Sequence, residues 1–271
     1  MPELPEVETT KRGIEPYLVG RRIVDVVVRE TRLRYPIPGT FKQDVIGRDI
    51  VLLARRGKYI IVESNQGGLI FHLGMSGSLR IVGGDEIAKK HDHVDLILDS
   101  GLSLRFHDPR RFGAILWEAG DPAEHNLIRH LGVEPLEDEF NGDVLYARSR
   151  RSKRPIKTFI MDAQVVVGVG NIYANEALFA ARIHPLREAG RISRKRYQCL
   201  AEAVKVVLAR AIEQGGTTLR DFVNGHGDPG YFQQSLDVYG RNGLPCVVCG
   251  KVIEVLRVTQ RSTYFCSRCQ R

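Results

Sequence analysis

The chain has 271 residues, 43% of them hydrophobic and 27% charged, a composition that is typical of globular proteins and excludes long disorder. Its formal net charge is +8, and no apolar run approaches the ~18 residues that a membrane-spanning helix needs. The first residues are acidic and lack the pattern of a secretory signal, so we expect a cytoplasmic protein in a reducing compartment, with no membrane partner.

The chain opens with MPELPEVETT, in which a proline follows the initiator methionine directly. A small second residue permits removal of Met1, which leaves the secondary amine of Pro2 as the first group of the chain. An α-amino group titrates at about pH 8, so a useful fraction of it is an unprotonated nucleophile at neutral pH. Such an amine forms an imine with a carbon at the aldehyde oxidation level. This stretch therefore predicts amine chemistry but does not name a substrate.

The segment 4–20 is predicted to form the first helix. Pro5 suits the first turn of this helix and Gly20 suits its end. Pro16 interrupts the pattern and is expected to kink or shorten the last turn. Glu6 lies near the positive end of the helix dipole, and we favour that structural role over a direct role in catalysis.

From about residue 22 to residue 117 the apolar residues recur with a period of two, which is typical of half-buried strands. So many short strands predict an antiparallel sandwich or flattened barrel, with the first helix packed against it and holding Pro2 at an edge. The predicted strands are residues 22–28, 49–56, 58–63, 69–73, 78–82, 93–98, 102–106 and 112–117.

Helical patterns dominate the second half of the chain. A Gly-x-Gly-Asn turn leads into a helix that begins at Asn171, where free N–H groups offer an anion site. A longer helix begins after Ser193 and ends near Gly215, with an apolar stripe along one face. We expect a hinge or linker at residues 133–150, between a domain at 2–132 and this helical half.

Four of the five cysteines form two Cys-x-x-Cys pairs, sixteen residues apart. Two such pairs at this spacing predict one tetrahedral zinc ion, and a closed site of four thiolates makes that Zn²⁺ structural. Paired disulfides are the alternative, but a reducing compartment disfavours them. The predicted ligands are Cys246, Cys249, Cys266 and Cys269.

The residues between the two cysteine pairs alternate like a β-hairpin, and Arg261 lies near its turn or in its second strand. A guanidinium on a rigid hairpin is well shaped to bind phosphate. On this evidence a zinc-ribbon binding module remains an alternative to an enzyme.

Basic residues cluster in five separate segments of the chain. A solvated face accounts for any single cluster, but five of them favour a long polyanion as the partner. The clusters are Arg21 with Arg22, Arg32 with Arg34, residues 55–58, Arg110 with Arg111, and residues 148–157.

Taken together these residues resemble the formamidopyrimidine-DNA glycosylase family over essentially the whole chain. The motifs that carry the resemblance are MPELPE, RRGKY, HLGMSGSLR, HDHVD, DPRRFG, GVGNIYANE, DPGYF and the four-cysteine tail with TQR. The resemblance implies an α+β fold: an N-terminal β-sandwich with a packed helix, a helix-two-turn-helix domain at 151–224, a lesion-recognition loop at 225–236 and a zinc-finger hairpin at 237–271. It also implies a monomer.

The resemblance further implies a bifunctional enzyme of base excision repair that acts on damaged double-stranded DNA. Such an enzyme excises oxidised purines, chiefly 8-oxoguanine and formamidopyrimidines, and then cleaves the abasic strand by β,δ-elimination. The resemblance implies that Pro2 attacks the sugar C1′ and forms a Schiff base, and that Glu3 donates the proton that helps to open the sugar. It implies that Lys58 binds the phosphate beside the lesion and assists β-elimination, and that Arg261 assists δ-elimination.

Reaching a damaged base requires its extrusion from the stack, and the vacated space must be filled. The resemblance implies that Met75, Arg110 and Phe112 enter the duplex, with Arg110 facing the orphaned cytosine. From the residue pattern alone, Met75 and Phe112 are expected in the core.

Further DNA contacts follow from the family resemblance. His91 and Asn171 match positions that bind the DNA backbone. Residues Arg151, Ser152 and Lys153 match another DNA contact of the family. Ser152 occupies a position that is often basic in relatives, and its neighbours Arg151 and Lys153 keep the positive charge of the segment.

Two alternatives to this interpretation stay open. The sister endonuclease VIII group prefers oxidised pyrimidines, and Leu4 together with the DPGYF loop argues against it. A non-catalytic zinc-dependent DNA-binding protein would bind duplexes in a salt-dependent way but form no covalent product.

Overall fold

The computed structural model describes residues 1–216 and 236–271. These residues form two compact units, one made of residues 1–129 with 214–216 and the other of residues 130–213 with 236–271. The fold is α+β, as predicted. The predicted lesion-recognition loop lies outside the described residues except for its last residue, Leu236.

The first unit contains two four-stranded antiparallel sheets, with strand orders β1-β6-β7-β5 and β2-β3-β4-β8. All eight predicted strands are present, and the two separate sheets make the unit a sandwich, not a closed barrel. The strands are β1 Ile23–Val28, β2 Ile50–Arg56, β3 Tyr59–Ser64, β4 Gly68–His72, β5 Ser78–Gly83, β6 Asp92–Leu98, β7 Leu102–His107 and β8 Ala114–Glu118.

The first helix, α1, spans Leu4–Leu18 and packs on the sandwich through a buried stripe of Val7, Ile14 and Leu18. Pro16 lies in the last turn without breaking the helix, because few backbone bonds remain to be lost there. A short helix, α2 at Phe41–Val45, was not predicted; its two terminal side chains are buried in the same core.

The second unit is helical and ends in a two-stranded hairpin. Its elements are α3 Gly142–Ser149, α4 Ile156–Ile160, α5 Asn171–Ala180, α6 Arg194–Glu213, β9 Glu254–Val258 and β10 Arg261–Phe265. Helices α5 and α6 begin at the predicted residues. No helix in the described ranges is long and apolar enough to cross a membrane.

Helix α3 forms inside the segment 133–150, for which we predicted a hinge or linker and no helix. Asn141 caps this helix by accepting hydrogen bonds from the amides of Asp143 and Val144. Gly142 lies so close to α6 that a Cβ at this position would come within 2.5 Å of the Gln198 backbone. Close packing on α6 thus orders a stretch whose mixed composition carried no clear periodicity.

Candidate active site and nucleic-acid interface

The start of α1 holds both predicted catalytic residues of the N-terminus. Pro2 is buried, and Glu3 is only 2% exposed. The Glu3 amide donates a 2.8 Å hydrogen bond to the carboxylate of Glu6, as in a capping box. Glu6 therefore serves the helix start, as expected, and fixes the backbone beside Pro2.

The surroundings of the half-buried Met1 α-amine favour its neutral form. Burial lowers the pKa of the Met1 amine, the carboxylates of Glu3 and Glu6 oppose this shift, and Lys58 and Arg110 add to it. A lowered pKa leaves more of an amine unprotonated at neutral pH, and the unprotonated form is the nucleophile. Lys58 and Arg110 act on this amine although both lie more than 50 residues away in the sequence.

Lys58 lies in a two-residue turn between β2 and β3. Gly57 takes φ 57° at the first position of this turn, a conformation that glycine adopts without strain. Arg55 donates one hydrogen bond of 3.3 Å to the Gly57 carbonyl and another of 2.8 Å to Glu8 of α1. This pair of bonds ties the turn that carries Lys58 to the helix that carries the N-terminus.

His72 stands beside this turn as a neutral side chain. Its Nδ1 accepts a 3.1 Å hydrogen bond from the Gly74 amide, and its ring lies 5.0 Å from the Tyr59 ring. Burial, with help from Arg34 and Lys58, lowers the pKa of His72 to about 4.

Two loops present the three residues that were expected to enter the duplex. Met75 is 40% exposed and Phe112 is 46% exposed, so the residue pattern was wrong to place them in the core. The Arg110 guanidinium lies over the Phe112 ring, 5.0 Å from its centroid. Two exposed apolar side chains beside a stacked arginine suit a surface that meets another molecule.

A buried carboxylate holds these two loops together. Asp108 accepts hydrogen bonds of 2.7 Å from the Ser76 hydroxyl and 2.8 Å from the Gly113 amide. Gly74, at φ 63°, lies so close to Phe112 that a Cβ would come within 2.4 Å of the Phe112 backbone. The exposure of Met75 and Phe112 is thus imposed by contacts between the loops.

His91 lies next to this pair of loops. Its carbonyl accepts a 3.0 Å hydrogen bond from the Asp108 amide, and its ring lies 6.0 Å from the His107 ring and 6.2 Å from the His93 ring. Burial lowers the pKa of His91, and the cationic neighbours Lys90 and Arg111 lower it further. His93 is structural, since its Nε2 lies 2.7 Å from the Asp108 carbonyl oxygen.

In the second unit, α5 brings Asn171 and the hairpin together. The helix begins at Asn171 after Gly170, and the Asn171 side chain donates a 3.1 Å hydrogen bond to the Ser262 carbonyl. Lys157 donates to the same carbonyl at 2.9 Å and to the Thr263 hydroxyl at 2.7 Å. These contacts fix the strand that follows Arg261 against the start of a helix.

Sequence reasoning missed two further residues of α5 that support this unit. Asn175 accepts a 2.9 Å hydrogen bond from the Tyr264 amide. The buried Glu176 carboxylate accepts three backbone amides, those of residues 237–239, at 2.8–3.0 Å. The available signal was two polar side chains inside an apolar helix, NIYANEALFA, but polarity alone did not identify their partners.

Arg261 is exposed and follows the hairpin turn directly. Thr259 and Gln260 form this turn with φ 45° and 63°, a left-handed backbone that is unusual for residues other than glycine. A conformation of this kind persists only where the surroundings fix it. The finger therefore presents Arg261 on a rigid support.

The segment 151–153 borders an open groove of about 590 Å³. Ser152 is held in its turn by backbone bonds to Ser149 and Gly190. In the described ranges Arg151 and Lys153 make no ion pair, whereas Arg154 pairs with Asp162 at 2.8 Å. Within the segment 151–153, the charges available to an anion are therefore those of Arg151 and Lys153.

The four predicted zinc ligands converge on one point. Their Sγ atoms lie within 4.8 Å of one another, with Cys246 and Cys269 at 3.9 Å and Cys249 and Cys266 at 3.5 Å. Zinc–sulfur bonds of about 2.3 Å place tetrahedral ligands about 3.8 Å apart, whereas a disulfide needs about 2.05 Å. The spacing fits zinc and excludes disulfides.

The chemistry of these sulfurs agrees with their spacing. Burial and the neighbouring thiols raise the pKa of Cys269 to about 12, so a divalent cation is needed to hold all four as thiolates. The apolar cluster around the sulfurs is small and consists of Phe179, Val238 and Ile253, with Tyr264 partly buried against it. The four thiolates bind one structural zinc ion.

Comparison with known proteins agrees with this geometry. Three family profiles match: the formamidopyrimidine-DNA glycosylase N-terminal domain over residues 1–115, its H2TH domain over 131–223, and the zinc finger found in FPG and IleRS over 243–271. The chain belongs to the formamidopyrimidine-DNA glycosylase family.

Full-length relatives of this glycosylase are similar throughout. Formamidopyrimidine-DNA glycosylases from Syntrophotalea carbinolica and Hahella chejuensis are 57% and 54% identical, with 100% of each chain covered. The MutM (Fpg) protein of Thermus thermophilus superposes with a TM-score of 0.89 at 38% identity, covering 99% of this chain and 98% of that one. Lactococcus lactis Fpg in complex with DNA that contains N7-benzyl-Fapy-dG superposes with a TM-score of 0.91 at 32% sequence identity, and 99% of both chains are covered.

Membership of this glycosylase family confirms the main predictions from the sequence. The α+β fold, the zinc finger, the DNA partner and the glycosylase and AP lyase class all agree with the family. The binding-module and non-catalytic alternatives are set aside.

Proposed function

We propose that this glycosylase excises oxidised purines from duplex DNA and uses the nitrogen of Pro2 as its nucleophile. The observation that carries the proposal is the buried amine at the start of α1, whose pKa burial lowers and which senses the charges of Glu3 and Lys58. Removal of Met1 would expose the Pro2 nitrogen in the same environment. The enzyme would work in the cytoplasm as a monomer, with its lesion loop in residues 225–236.

The chemistry follows from a secondary amine beside a carboxyl group. The Pro2 nitrogen attacks the sugar C1′ as the damaged base departs, and a proton from Glu3 to the ring oxygen opens the sugar to an iminium ion. The iminium acidifies the C2′ proton, and its removal expels the 3′ phosphate by β-elimination. A second elimination expels the 5′ phosphate, and hydrolysis of the imine releases Pro2.

Lys58 and Arg261 are the two cations that assist the elimination steps. Lys58 binds the phosphate beside the lesion, and the turn braced by Arg55 and Glu8 supports its placement. Arg261 assists δ-elimination, for which an exposed guanidinium on a rigid hairpin is suited.

The remaining assigned residues hold an opened duplex. Met75 and Phe112 fill the space of the extruded base, and Arg110 donates to the opposite cytosine. His91, the N-terminus of α5 at Asn171 and the segment 151–153 bind phosphates of the DNA backbone. In that segment Arg151 and Lys153 carry the positive charge, and Ser152 shapes the turn.

Paired substrates test the proposed lesion class. We expect the enzyme to cleave an 8-oxoguanine:cytosine duplex at least about tenfold faster, in kcat/KM, than a thymine-glycol duplex of the same sequence. A solved complex of Lactococcus lactis Fpg with DNA that contains an oxidised pyrimidine makes the second duplex the relevant competitor. Equal or reversed rates would favour the endonuclease VIII alternative.

Glu3→Gln is expected to separate the two activities. The amide keeps the size of the side chain but cannot donate a proton as a carboxylic acid, so excision of 8-oxoguanine should fall by about 10²–10⁴-fold. Cleavage of a preformed abasic site should fall much less, because the base has already departed and its hemiacetal sugar opens to the aldehyde without the enzyme. Glu15→Gln, a matched change on the same helix, is the control; equal losses in both activities would contradict the assigned role.

A further inference from the structure

The segment that follows β1 braces the loop 108–113, which carries Arg110 and Phe112. Glu30 is the centre of this brace, with its side chain 19% exposed. Its carboxylate accepts a 3.1 Å hydrogen bond from the Arg111 guanidinium and bonds of 2.8 and 2.9 Å from the Arg32 guanidinium. The Arg32 amide donates a further bond of 2.9 Å. Hydrogen bonds from Arg32 and the charge of Arg111 lower the pKa of Glu30 to about 2.

A second contact joins the same two segments. The Arg34 amide donates a 3.1 Å hydrogen bond to the Gly113 carbonyl, at the end of the loop. The loop is thus held at Arg111 by a side chain and at Gly113 by the backbone, while Asp108 holds it from within. Glu30 and Arg111 are 81 residues apart in the sequence, so only the fold brings them together.

The residue that Glu30 holds has a strained backbone. Arg111 takes φ 55°, in the left-handed region, and is one of only four residues other than glycine with positive φ among those described. Such a conformation is costly for an arginine and persists where contacts fix it. On either side of it, Arg110 and Phe112 stack on each other with their side chains exposed.

We propose that Glu30 is a positioning residue for recognition of the base opposite the lesion. By anchoring Arg111 it keeps the backbone in the conformation that presents Arg110 and Phe112 side by side. The proposal rests on the proposed function, in which Arg110 contacts the opposite cytosine. The ion pair between Glu30 and Arg32 does not hold the loop, because Arg32 lies on the same segment as Glu30 and its side chain is 78% exposed.

The effect of Glu30 is measured as a ratio of rates. For each variant, kcat/KM is determined on 8-oxoguanine paired with cytosine and on 8-oxoguanine paired with adenine. The loss of one negative charge in Glu30→Ala should strengthen binding to both duplexes alike and therefore cancel in this ratio. We expect the preference for cytosine to fall by about three- to fivefold, the scale of one partly exposed ion pair.

Three further variants give this ratio its meaning. Arg110→Ala measures how far the preference for cytosine falls when the recognising arginine itself is removed. Glu30→Ala in an Arg111→Ala background should change the preference no further, because the proposed effect passes through Arg111. Asp49→Ala removes a comparable carboxylate, bonded to Arg22 at 2.7 and 2.9 Å, and should leave the preference unchanged. The thermal midpoint of Glu30→Ala should stay within about 4 °C of the wild type.

The outcomes separate this proposal from the one it rests on. An unchanged preference in Glu30→Ala, together with a lost preference in Arg110→Ala, overturns the role of Glu30 and leaves the proposed function intact. Additive effects of Glu30→Ala and Arg111→Ala also overturn it. An unchanged preference in Arg110→Ala instead removes Arg110 from opposite-base recognition, and the role of Glu30 falls with it.

Discussion

A chain whose Pro2 nitrogen is blocked by an uncleaved and acetylated N-terminal residue, which leaves no free α-amine, is expected to form no borohydride-trapped adduct with an 8-oxoguanine duplex. Acylation turns that nitrogen into an amide, which is not a nucleophile, so trapping and strand cleavage should fall by at least about 1,000-fold. Mass spectrometry of the intact protein identifies the first residue, and sequencing of the trapped product identifies the modified one.

Two proline variants complete this experiment. Pro2→Gly leaves a primary amine on a freer backbone, and its imine needs an added proton to become as reactive as an iminium. We therefore expect almost no adduct, a loss of about 100-fold or more. Pro16→Gly changes an exposed proline of the same helix and should trap normally. Undiminished trapping in the blocked chain, through a lysine for example, would reject the assignment of Pro2.

Loss of the zinc ion is expected to abolish tight DNA binding. Structural zinc in small fingers contributes about 10–16 kcal/mol to folding, and the apolar cluster around the four sulfurs is too small to replace it. Without the ion the turn at residues 259–260 and the Ser262 contacts of Asn171 would be lost. Cys249→Ser should hold less than one zinc per chain and bind an abasic-site duplex at least about 100-fold more weakly.

The fifth cysteine supplies the matched control for this variant. Cys199 is exposed on α6 and is not among the four clustered sulfurs. Cys199→Ser makes the same chemical change and should retain one zinc ion, measured by metal analysis, with unchanged affinity. Metal-free Cys249→Ser protein that bound the duplex at full strength would exclude the finger from DNA binding.

Regular elements were predictable because their signals are local. Alternating apolar residues predict the strands of both sheets, since neighbouring side chains in a strand face opposite sides. The cysteine spacing predicts the zinc site, because two Cys-x-x-Cys pairs offer four thiolates with few other uses. The α5 and α6 starts follow from glycine and serine at the helix ends. Helix α3, inside the predicted hinge at 133–150, was not predictable because it packs against a helix more than 40 residues later.

By itself the sequence determined the family, the strand pattern, the zinc ligands and the first helix, because each depends on residue types at short spacing. Only the tertiary structure decided what the two loops present. Met75 and Phe112 are apolar and read as core residues, yet Asp108 and the backbone at Gly74 turn them to the surface. Nothing in the sequence distinguishes Glu30 from the other acidic residues. Its contact with Arg111 exists only because the fold brings distant segments together.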